Sequence, residues 1–337
     1  MEKVGGDFQN FYQREEPHPP GLPLATHTDL AKVNDDIPLE AEVEAAVSRL
    51  RPHKAGRHTH LCAEHFKQWR REAYLGGQSK TPPQGELWMC LVEILQRIWR
   101  TGEIPQELGW TILILIPKET TDTWGVGLLY TLWKVEEALI DTRLQTSLQM
   151  HDVLYGFRTR RGTGVAIIEL KLSQELATID KSPIFLVFLD LRKSYATLDQ
   201  ERLLIIPEGY VTGPCLCGLL QTFWDCPQVV SRQNGFHGPA FPTTRGTTQG
   251  GLFSLTLFNV VVDNVIRTWM SMTVEDQRVA HDRLVETVGR CLGVYYADYG
   301  MVASREPDYL QKFMNFRIGL FQKYGLAANV AKSRTMT

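Results

Sequence analysis

The sequence predicts an α+β fold, with strands and amphipathic helices in separate stretches of a 337-residue chain. One observation is the run of six apolar residues Ile184–Leu189, which follows a proline and is typical of a buried strand. A second is the segment Gly293–Ala303, which has the pattern of two short strands joined by a tight turn. A third is a set of helical apolar stripes in five other segments. At 43% hydrophobic and 22% charged residues, the chain fits one or two globular domains.

The predicted elements follow one another along the chain. Residues 1–36 are rich in Pro, His and Gly without any period, which predicts a disordered segment. A helix is predicted after Ser254, and a β-branched run predicts a strand at 111–116. The other predicted helices are 39–50, 87–99, 132–144 and 165–176. In the last of these helices, the stripe that we expect to face the core consists of Val165, Ile168, Leu172 and Leu176.

Two carboxylates are notable because of where the predicted strands end. Asp190 follows the buried run directly, and a buried charge is costly unless a cation, a metal or hydrogen-bond donors meet it. Asp298 would lie at the tip of the second hairpin, with Gly300 supplying a positive φ. Asp190 alone is equally well explained as a structural cap of the next turn. Two Asp residues at neighbouring strand ends, however, are typical of Mg²⁺ sites, which use few protein carboxylates.

Four motifs in register resemble the reverse transcriptases of non-LTR (LINE-type) retrotransposons. They are F-L-D-L-R-K-x-Y-x-T-L-D at 188–199, R-G-T-T-Q-G-G-x-x-S-x-x-L-F-N at 245–259, Y-Y-A-D at 295–298 and G-L-x-x-N-x-x-K at 325–332. The resemblance implies the fingers and palm of a right-hand polymerase, with an antiparallel palm sheet backed by helices. It implies a helical N-terminal extension at 37–110, fingers at 111–183 and a palm at 184–337. Because the sequence ends five residues after Lys332, we expect the thumb to be absent.

The resemblance also implies RNA-directed DNA synthesis, with an RNA template, a DNA primer and deoxynucleoside triphosphates as partners. The implied cofactor is Mg²⁺, held as two ions by Asp190 and Asp298. These carboxylates would be catalytic together with Lys332, which would protonate the leaving pyrophosphate. Tyr195 would exclude ribonucleotides by filling the space of the 2′-hydroxyl group. The implied substrate-binding residues are Lys118, Arg158, Tyr195, Gln249 and Gly250.

The loop Gln249-Gly250-Gly251 and the helix after it would, by the same resemblance, hold the template against the nascent base pair. Glycine brings no Cβ, so the backbone of this loop can approach a base pair closely. The helix is expected to turn its apolar residues inward. Its other face carries Asn259, Asp263 and Arg267.

Three positions depart from the family's motifs. Trp124 stands where the family has an arginine that clamps the triphosphate, and an indole offers one donor and no charge. Ala196 stands where a second Asp usually follows the aromatic residue. Tyr299 replaces the second member of an Asp-Asp pair, so one metal ion would lose a ligand. We therefore expect an incomplete two-ion site and an impaired polymerase; the alternative is a non-catalytic, nucleic-acid-binding remnant of a retroelement.

A formal net charge of −2 gives no global attraction to nucleic acid, so binding would depend on local basic patches. Two patches have the composition for contacts with phosphate, and the alternative for both is an ordinary solvated surface. They consist of Arg158, Arg160 and Arg161, and of Lys67, Arg70 and Arg71.

Six cysteines without paired C-x-x-C spacing predict free thiols in a reducing compartment. A cluster of ligand-type residues without regular spacing is interpreted as surface or, alternatively, as a metal site; it consists of His58, His60, Cys62 and His65. The sequence has neither a signal peptide nor an 18-residue apolar run. We expect a soluble intracellular protein of the nucleus or cytoplasm, without a membrane partner, and leave its oligomeric state open.

Overall fold

The computed structural model describes residues 33–54, 61–74, 84–117, 123–158, 160–203, 213–225, 228–247, 250–270 and 293–336. The chain divides into two compact units. The first contains the described residues within 33–148 and 213–254, and the second those within 149–203 and 255–336. Both units contain helices and strands, so the predicted mixture of the two element types is confirmed.

The helices and strands are named here in chain order. They are α1 Glu40–Arg49, α2 Ala63–Tyr74, α3 Gln84–Thr101, β1 Trp110–Pro117, β2 Thr123–Leu128, α4 Thr131–Ser147, α5 Thr163–Ile179, β3 Phe185–Arg192, α6 Ser194–Thr197, α7 Pro214–Asp225, β4 Gln228–Gln233, β5 Phe236–Pro242, α8 Phe253–Met270, β6 Val294–Tyr296, β7 Tyr299–Ser304, α9 Pro307–Lys323, β8 Ala327–Ala328 and β9 Arg334–Met336. Within the described ranges, none of the helices is long and apolar enough to cross a bilayer.

The first unit is built on helices α1 to α4 and on a sheet in the order β2-β1-β4-β5. The apolar stripes predicted in α1, α3 and α4 face one core, in which Val47, Leu95 and Leu139 are 0%, 0% and 2% exposed. Burying side chains of this size stabilises the fold by about 1.5–3 kcal/mol each. Strand β1 covers the predicted strand 111–116 and pairs antiparallel with β2 and parallel with β4.

Residues 33–36 also belong to the first unit, although the sequence analysis places them in a disordered segment. Val33 is fully buried. The Asp35 carboxylate accepts hydrogen bonds from the backbone N–H groups of Cys215 at 2.9 Å and Leu216 at 2.7 Å, at the start of α7. These N–H groups have no partner within their own helix, and the helix dipole favours an anion there. The prediction is therefore wrong for these four residues, because they are held by distant parts of the chain: the partners of the Asp35 carboxylate lie 180 and 181 residues away, and Arg143, which donates to the carbonyls of Asn34 and Asp36, lies 109 and 107 residues away.

The second unit contains an antiparallel sheet centred on β3. Strands β7, β8 and β9 pair with β3, and β6 pairs with β7, all in antiparallel register. The strand predicted at 184–189 is confirmed, but it continues to Arg192, so Asp190 lies inside the strand and not at its end. Leu186 and Leu189 are 2% and 4% exposed, as expected for a central strand.

Helix α5 buries a different face from the predicted one. Val165, Ile168 and Leu172 are 46%, 64% and 45% exposed. The buried face instead carries the small residues Ala166, Ser173 and Ala177. Short side chains let a helix approach its neighbour closely. The buried face of α5 is therefore the one with the smallest side chains and not the one with the most apolar side chains.

Candidate active site

The antiparallel register of β3 and β7 brings two carboxylates together. Asp190 lies opposite Tyr299, and the backbone N–H of Leu191 donates to the carbonyl of Asp298 at 3.1 Å. Asp190 is 4% exposed, so bulk water does not stabilise its charge. Burial raises the pKa of Asp298 above its ordinary value, the negative charge of Asp190 adds to this rise, and the positive charge of Lys332 opposes it. The two Asp residues and Lys332 therefore form one electrostatic group.

Asp298 lies in the turn between β6 and β7, as the sequence pattern predicts, but the turn is built differently. Its two residues are Ala297 and Asp298, and the positive φ of 55° belongs to Ala297 and not to Gly300. Gly300 is already part of β7, where a Cβ would lie 2.8 Å from the Tyr295 ring. The glycine is thus needed for the close approach of an aromatic ring.

Further hydrogen bonds fix Asp190. The Asn329 side chain donates through Nδ2 to Asp190 Oδ2 at 2.6 Å, and its backbone N–H donates to the Asp190 carbonyl at 2.8 Å. The Ser333 hydroxyl accepts from the Asp190 N–H at 3.3 Å and donates to the Asn329 carbonyl at 2.9 Å. These bonds orient the carboxylate and offset part of its desolvation. Asn329 belongs to the G-L-x-x-N-x-x-K motif, but its role cannot be predicted from the motif alone, because it depends on the pairing of β8 with β3.

Tyr299 stands beside the Asp190 carboxylate and is 56% exposed. Partial burial raises the pKa of its hydroxyl group, and the charges of Asp298 and Asp190 and a hydrogen bond to Asp190 raise this pKa further. The phenol is therefore neutral at physiological pH and acts as a hydrogen-bond donor to a carboxylate. It does not supply the anionic oxygen that a hard cation prefers.

Tyr195 lies close to the same group of charges. It is on α6, directly after Lys193 and Ser194, and its ring packs on that of Phe258 with 5.1 Å between centroids. Burial raises the pKa of its hydroxyl group, and the charge of Asp298 contributes to the rise. The hydroxyl oxygen is buried and has no hydrogen-bond partner among the described residues.

We expect Tyr195→Phe to leave the free energy of unfolding unchanged or to raise it by about 1 kcal/mol, because it removes an unsatisfied hydroxyl group and keeps the ring. Denaturant titration measures the change. Tyr155→Phe is the matched control, since the Tyr155 hydroxyl donates to Glu169 and its removal should destabilise the protein. A clear loss of stability in Tyr195→Phe would contradict the absence of a partner.

The two carboxylates of Asp190 and Asp298 are enough to bind one divalent cation but not two. In the part of the chain that the structure describes, no group of three or more His, Cys, Asp or Glu side chains is arranged to hold a metal ion. Mg²⁺, however, is commonly held by one or two carboxylates, with water and phosphate oxygens completing its shell. Asp190 and Asp298 would provide such a pair, and a cation beside them would relieve the repulsion that helps to raise the pKa of Asp298.

Residues 116–337 match a family model described as reverse transcriptase (RNA-dependent DNA polymerase). The chain belongs to the reverse transcriptase family. The matched range includes Asp190, Asp298, Tyr299 and Lys332. No curated protein matches the sequence at a significant level.

Solved structures similar to this reverse transcriptase chain include telomerases from two Candida species. Apo telomerase from Candida tropicalis is 14% identical, with a TM-score of 0.49 over 75% of this chain and 49% of that chain. Telomerase from Candida tropicalis in complex with the TWJ fragment of telomeric RNA is 13% identical, with a TM-score of 0.49 over 72% and 44% of the two chains. The corresponding complex from Candida albicans is 14% identical, with a TM-score of 0.47 over 76% and 46%. This chain spans about half the length of these telomerase chains.

The basic residues predicted for the template of a reverse transcriptase are partly engaged in the fold. Arg158 donates to two backbone carbonyls, at 2.8 and 3.1 Å, and Arg161 pairs with Asp152 at 2.5 Å. Arg160 is exposed, so its charge is the most available of this loop. In the second patch, Lys67 donates to a backbone carbonyl at 2.5 Å and Arg70 pairs with a glutamate. These contacts reduce the number of cations that are ready to meet phosphate.

The remaining predicted residues lie in other parts of the chain. Lys118 and Gln249 fall outside the described residues. Gly250 lies in the first unit with a φ of 114°, and a Cβ there would lie 2.5 Å from the Gly127 carbonyl oxygen. Ala196 on α6 is 1% exposed, so an Asp at this position would be buried.

The structure also shows the strand position of Trp124 and one contact in the cluster of His and Cys residues. Trp124 belongs to β2, opposite Ile116 in β1. In the ligand-type cluster, Cys62 Sγ and His65 Nδ1 lie 3.0 Å apart, and the other two histidines fall outside the described residues.

Proposed function

We propose that the chain is the polymerase region of a non-LTR (LINE-type) retroelement and copies RNA into DNA with strongly reduced activity. The observation that carries the proposal is the proximity of Asp298 to both Asp190 and Lys332, with Tyr299 opposite Asp190 where a further carboxylate is expected. In this proposal residues 37–110 are an N-terminal extension, 111–183 the fingers and 184–337 the palm.

The reaction joins the primer 3′-hydroxyl to the α-phosphorus of a deoxynucleoside triphosphate and releases pyrophosphate. Asp190 and Asp298 would hold Mg²⁺, which supplies positive charge to the phosphate oxygens and to the attacking hydroxyl group. Asn329 keeps the Asp190 carboxylate oriented. Lys332 would give a proton to the leaving pyrophosphate, a contribution of about 10²- to 10⁴-fold in other enzymes. The Tyr195 ring would exclude the 2′-hydroxyl of a ribonucleotide by its volume.

A second candidate is a protein that binds nucleic acid without catalysis. Tyr299 supports it, because the phenol donates a hydrogen bond to Asp190 where an active enzyme of this type would have a metal-binding carboxylate. The solvent-exposed Arg160 would then contribute to binding phosphate.

Primer extension on an RNA template, in Mg²⁺ or Mn²⁺, separates the two candidates. We expect slow incorporation by the unmodified chain and none by Asp190→Asn, because the amide keeps the shape of the side chain and removes its charge. Asp180→Asn is the matched control and should incorporate like the parent, since the Asp180 side chain is 46% exposed and pairs with Arg305 in the same unit.

Three outcomes are informative. Incorporation that survives Asp190→Asn would refute the active-site assignment. Binding of a template–primer duplex without incorporation by any form of the chain would favour the second candidate. Loss of incorporation in both Asp variants would indicate that the charge changes act on folding and not on the site.

A further inference from the structure

Helix α8 carries a polar stripe that is turned toward the interior of the second unit. Asn259, Asp263 and Arg267 are four residues apart and therefore lie on one face of the helix. Asn259 is 2% exposed and Asp263 is fully buried. These two side chains are therefore turned away from solvent. Buried polar groups persist where they are hydrogen-bonded, so their partners indicate what the stripe does.

Each residue of the stripe makes a hydrogen bond to the backbone of the segment 149–156. Asn259 donates through Nδ2 to the carbonyl of Gly156 at 2.7 Å. Asp263 accepts from a backbone N–H of the segment at 2.6 Å. Arg267 donates to a backbone carbonyl of the segment and pairs with Asp263 at 2.7 Å. Three consecutive turns of α8 thus hold one stretch of irregular chain.

The held segment in turn contacts the hairpin that carries Asp298. The backbone N–H of Tyr155 donates to the Tyr295 carbonyl at 2.8 Å, and the Tyr295 N–H donates to the Val153 carbonyl at 2.9 Å. At the next position a Cβ on Gly156 would lie 2.6 Å from the backbone nitrogen of Ala297. The segment therefore lies directly against strand β6 and the turn after it.

This turn needs support, because a residue with a Cβ in the left-handed region costs about 1 kcal/mol or more. Ala297 is such a residue, with a φ of 55°. We propose that Asn259 is a positioning residue for Asp298: it fixes Gly156, Gly156 contacts Ala297, and Ala297 sets the direction of the Asp298 side chain. The metal-binding role of Asp298 rests on the proposed function, whereas the support of the turn by Asn259 does not.

A comparison of two asparagines on α8 tests the proposal. Asn259→Leu removes the donor to Gly156 and keeps most of the volume. Asn264→Leu is the matched control, since Asn264 is also 2% exposed but accepts a hydrogen bond from the Tyr324 hydroxyl at 3.0 Å. Hydrogen exchange of the Tyr155 and Tyr295 amides reports on the contact between segment and hairpin.

We expect these two amides to exchange about tenfold faster in Asn259→Leu than in Asn264→Leu when the variants are compared at equal global stability. We also expect Mn²⁺, followed by its electron paramagnetic resonance, to bind about tenfold more weakly to Asn259→Leu alone. Neither readout requires polymerase activity. If Asn259→Leu does not fold, Asn259→Ser should change both quantities in the same direction.

Equal exchange in the Asn259 and Asn264 variants would overturn the proposal, and so would faster exchange with unchanged Mn²⁺ affinity. A failure of the unmodified chain to bind Mn²⁺ would instead overturn the metal site of the proposed function. The exchange comparison would then still decide whether Asn259 supports the turn.

Discussion

Tyr299→Asp should raise RNA-templated deoxynucleotide incorporation by at least about 100-fold, the scale on which a well-placed charge-stabilising group acts in other enzymes. It should also strengthen Mn²⁺ binding by about tenfold or more, because affinity rises with the number of charged ligands. Primer extension and a Mn²⁺ titration measure the two effects separately.

The position of residue 299 in β7 is suited to the Tyr299→Asp substitution. Position 299 lies opposite Asp190 in the antiparallel register of β3 and β7, so the new carboxylate would join the existing pair without a change in either strand. The side chain of Tyr299 is 56% exposed, and the added charge can remain hydrated when no cation is bound. The substitution also removes the hydroxyl group that is hydrogen-bonded to Asp190.

Two variants test the reason for the gain. Tyr299→Phe removes the hydroxyl group and adds no ligand, so it should leave incorporation at the parent level. Asp190→Asn in the Tyr299→Asp background should abolish the gain. If Tyr299→Phe restores as much activity as Tyr299→Asp, the phenol blocks an otherwise sufficient site, and the idea of a missing ligand is wrong.

The second large effect concerns two adjacent glutamates on α4. Glu136 and Glu137 are fully buried, and burial raises the pKa of each from 4.5 to about 8. The charge of Arg143 opposes the rise for Glu136. One oxygen of Glu137 accepts from the Leu252 N–H at 2.9 Å, whereas neither oxygen of Glu136 has a hydrogen-bond partner among the described residues.

We expect the free energy of unfolding to fall as the pH rises from about 5 to about 8. In this window the folded chain keeps protons that the unfolded chain has already lost, so folding takes up protons. Stability therefore decreases by up to about 1.4 kcal/mol per pH unit for each group. Below pH 4.5 the contribution is fully present, because both states are protonated, and above about pH 8 the loss levels off.

Denaturant titrations of Glu136→Gln at several pH values test this expectation. The variant should be more stable than the parent at pH 8 and should flatten the pH dependence, because the amide needs no proton to remain neutral. Asp141→Asn is the control on the same helix. Asp141 is 1% exposed but accepts from Arg49 at 2.6 Å, so its neutralisation should destabilise the protein. A Glu136→Gln variant that is less stable at pH 8 would mean that the carboxylate has a cationic partner.

The elements that carry the candidate site were predictable because their patterns are local. The apolar run before Asp190 indicates a central strand, and the short apolar stretches on either side of Asp298 indicate a hairpin. The helix stripes of α1, α3 and α4 have the spacing of one face and are buried for the most part, whereas Leu87, the first residue of the stripe predicted in α3, is 44% exposed. The motif resemblance then supplied the link between the two Asp residues, which lie more than a hundred positions apart in the sequence.

What sequence reasoning missed depends on contacts between distant segments. Asn329 is paired with Asp190 by the register of β3 with β8, and Asn259 with Gly156 by the packing of α8. The sequence predicts a positive φ at Gly300, because glycine favours it, but Ala297 takes that conformation. A positive φ at an alanine becomes understandable only when the neighbouring backbone is known.

The parallel pairing of β1 with β4 affects how the chain is synthesised. Trp110 lies opposite Gln228, so a ribosome that adds about 5–20 residues per second completes β4 about 6 to 24 seconds after β1. Until then one edge of β1 is unpaired, although its Ile112, Leu113 and Leu115 are buried in the folded chain. An exposed apolar strand edge is a template for pairing with other chains. We therefore expect the nascent polypeptide to be prone to aggregation during translation, and a chaperone that covers this edge to increase the yield of native protein.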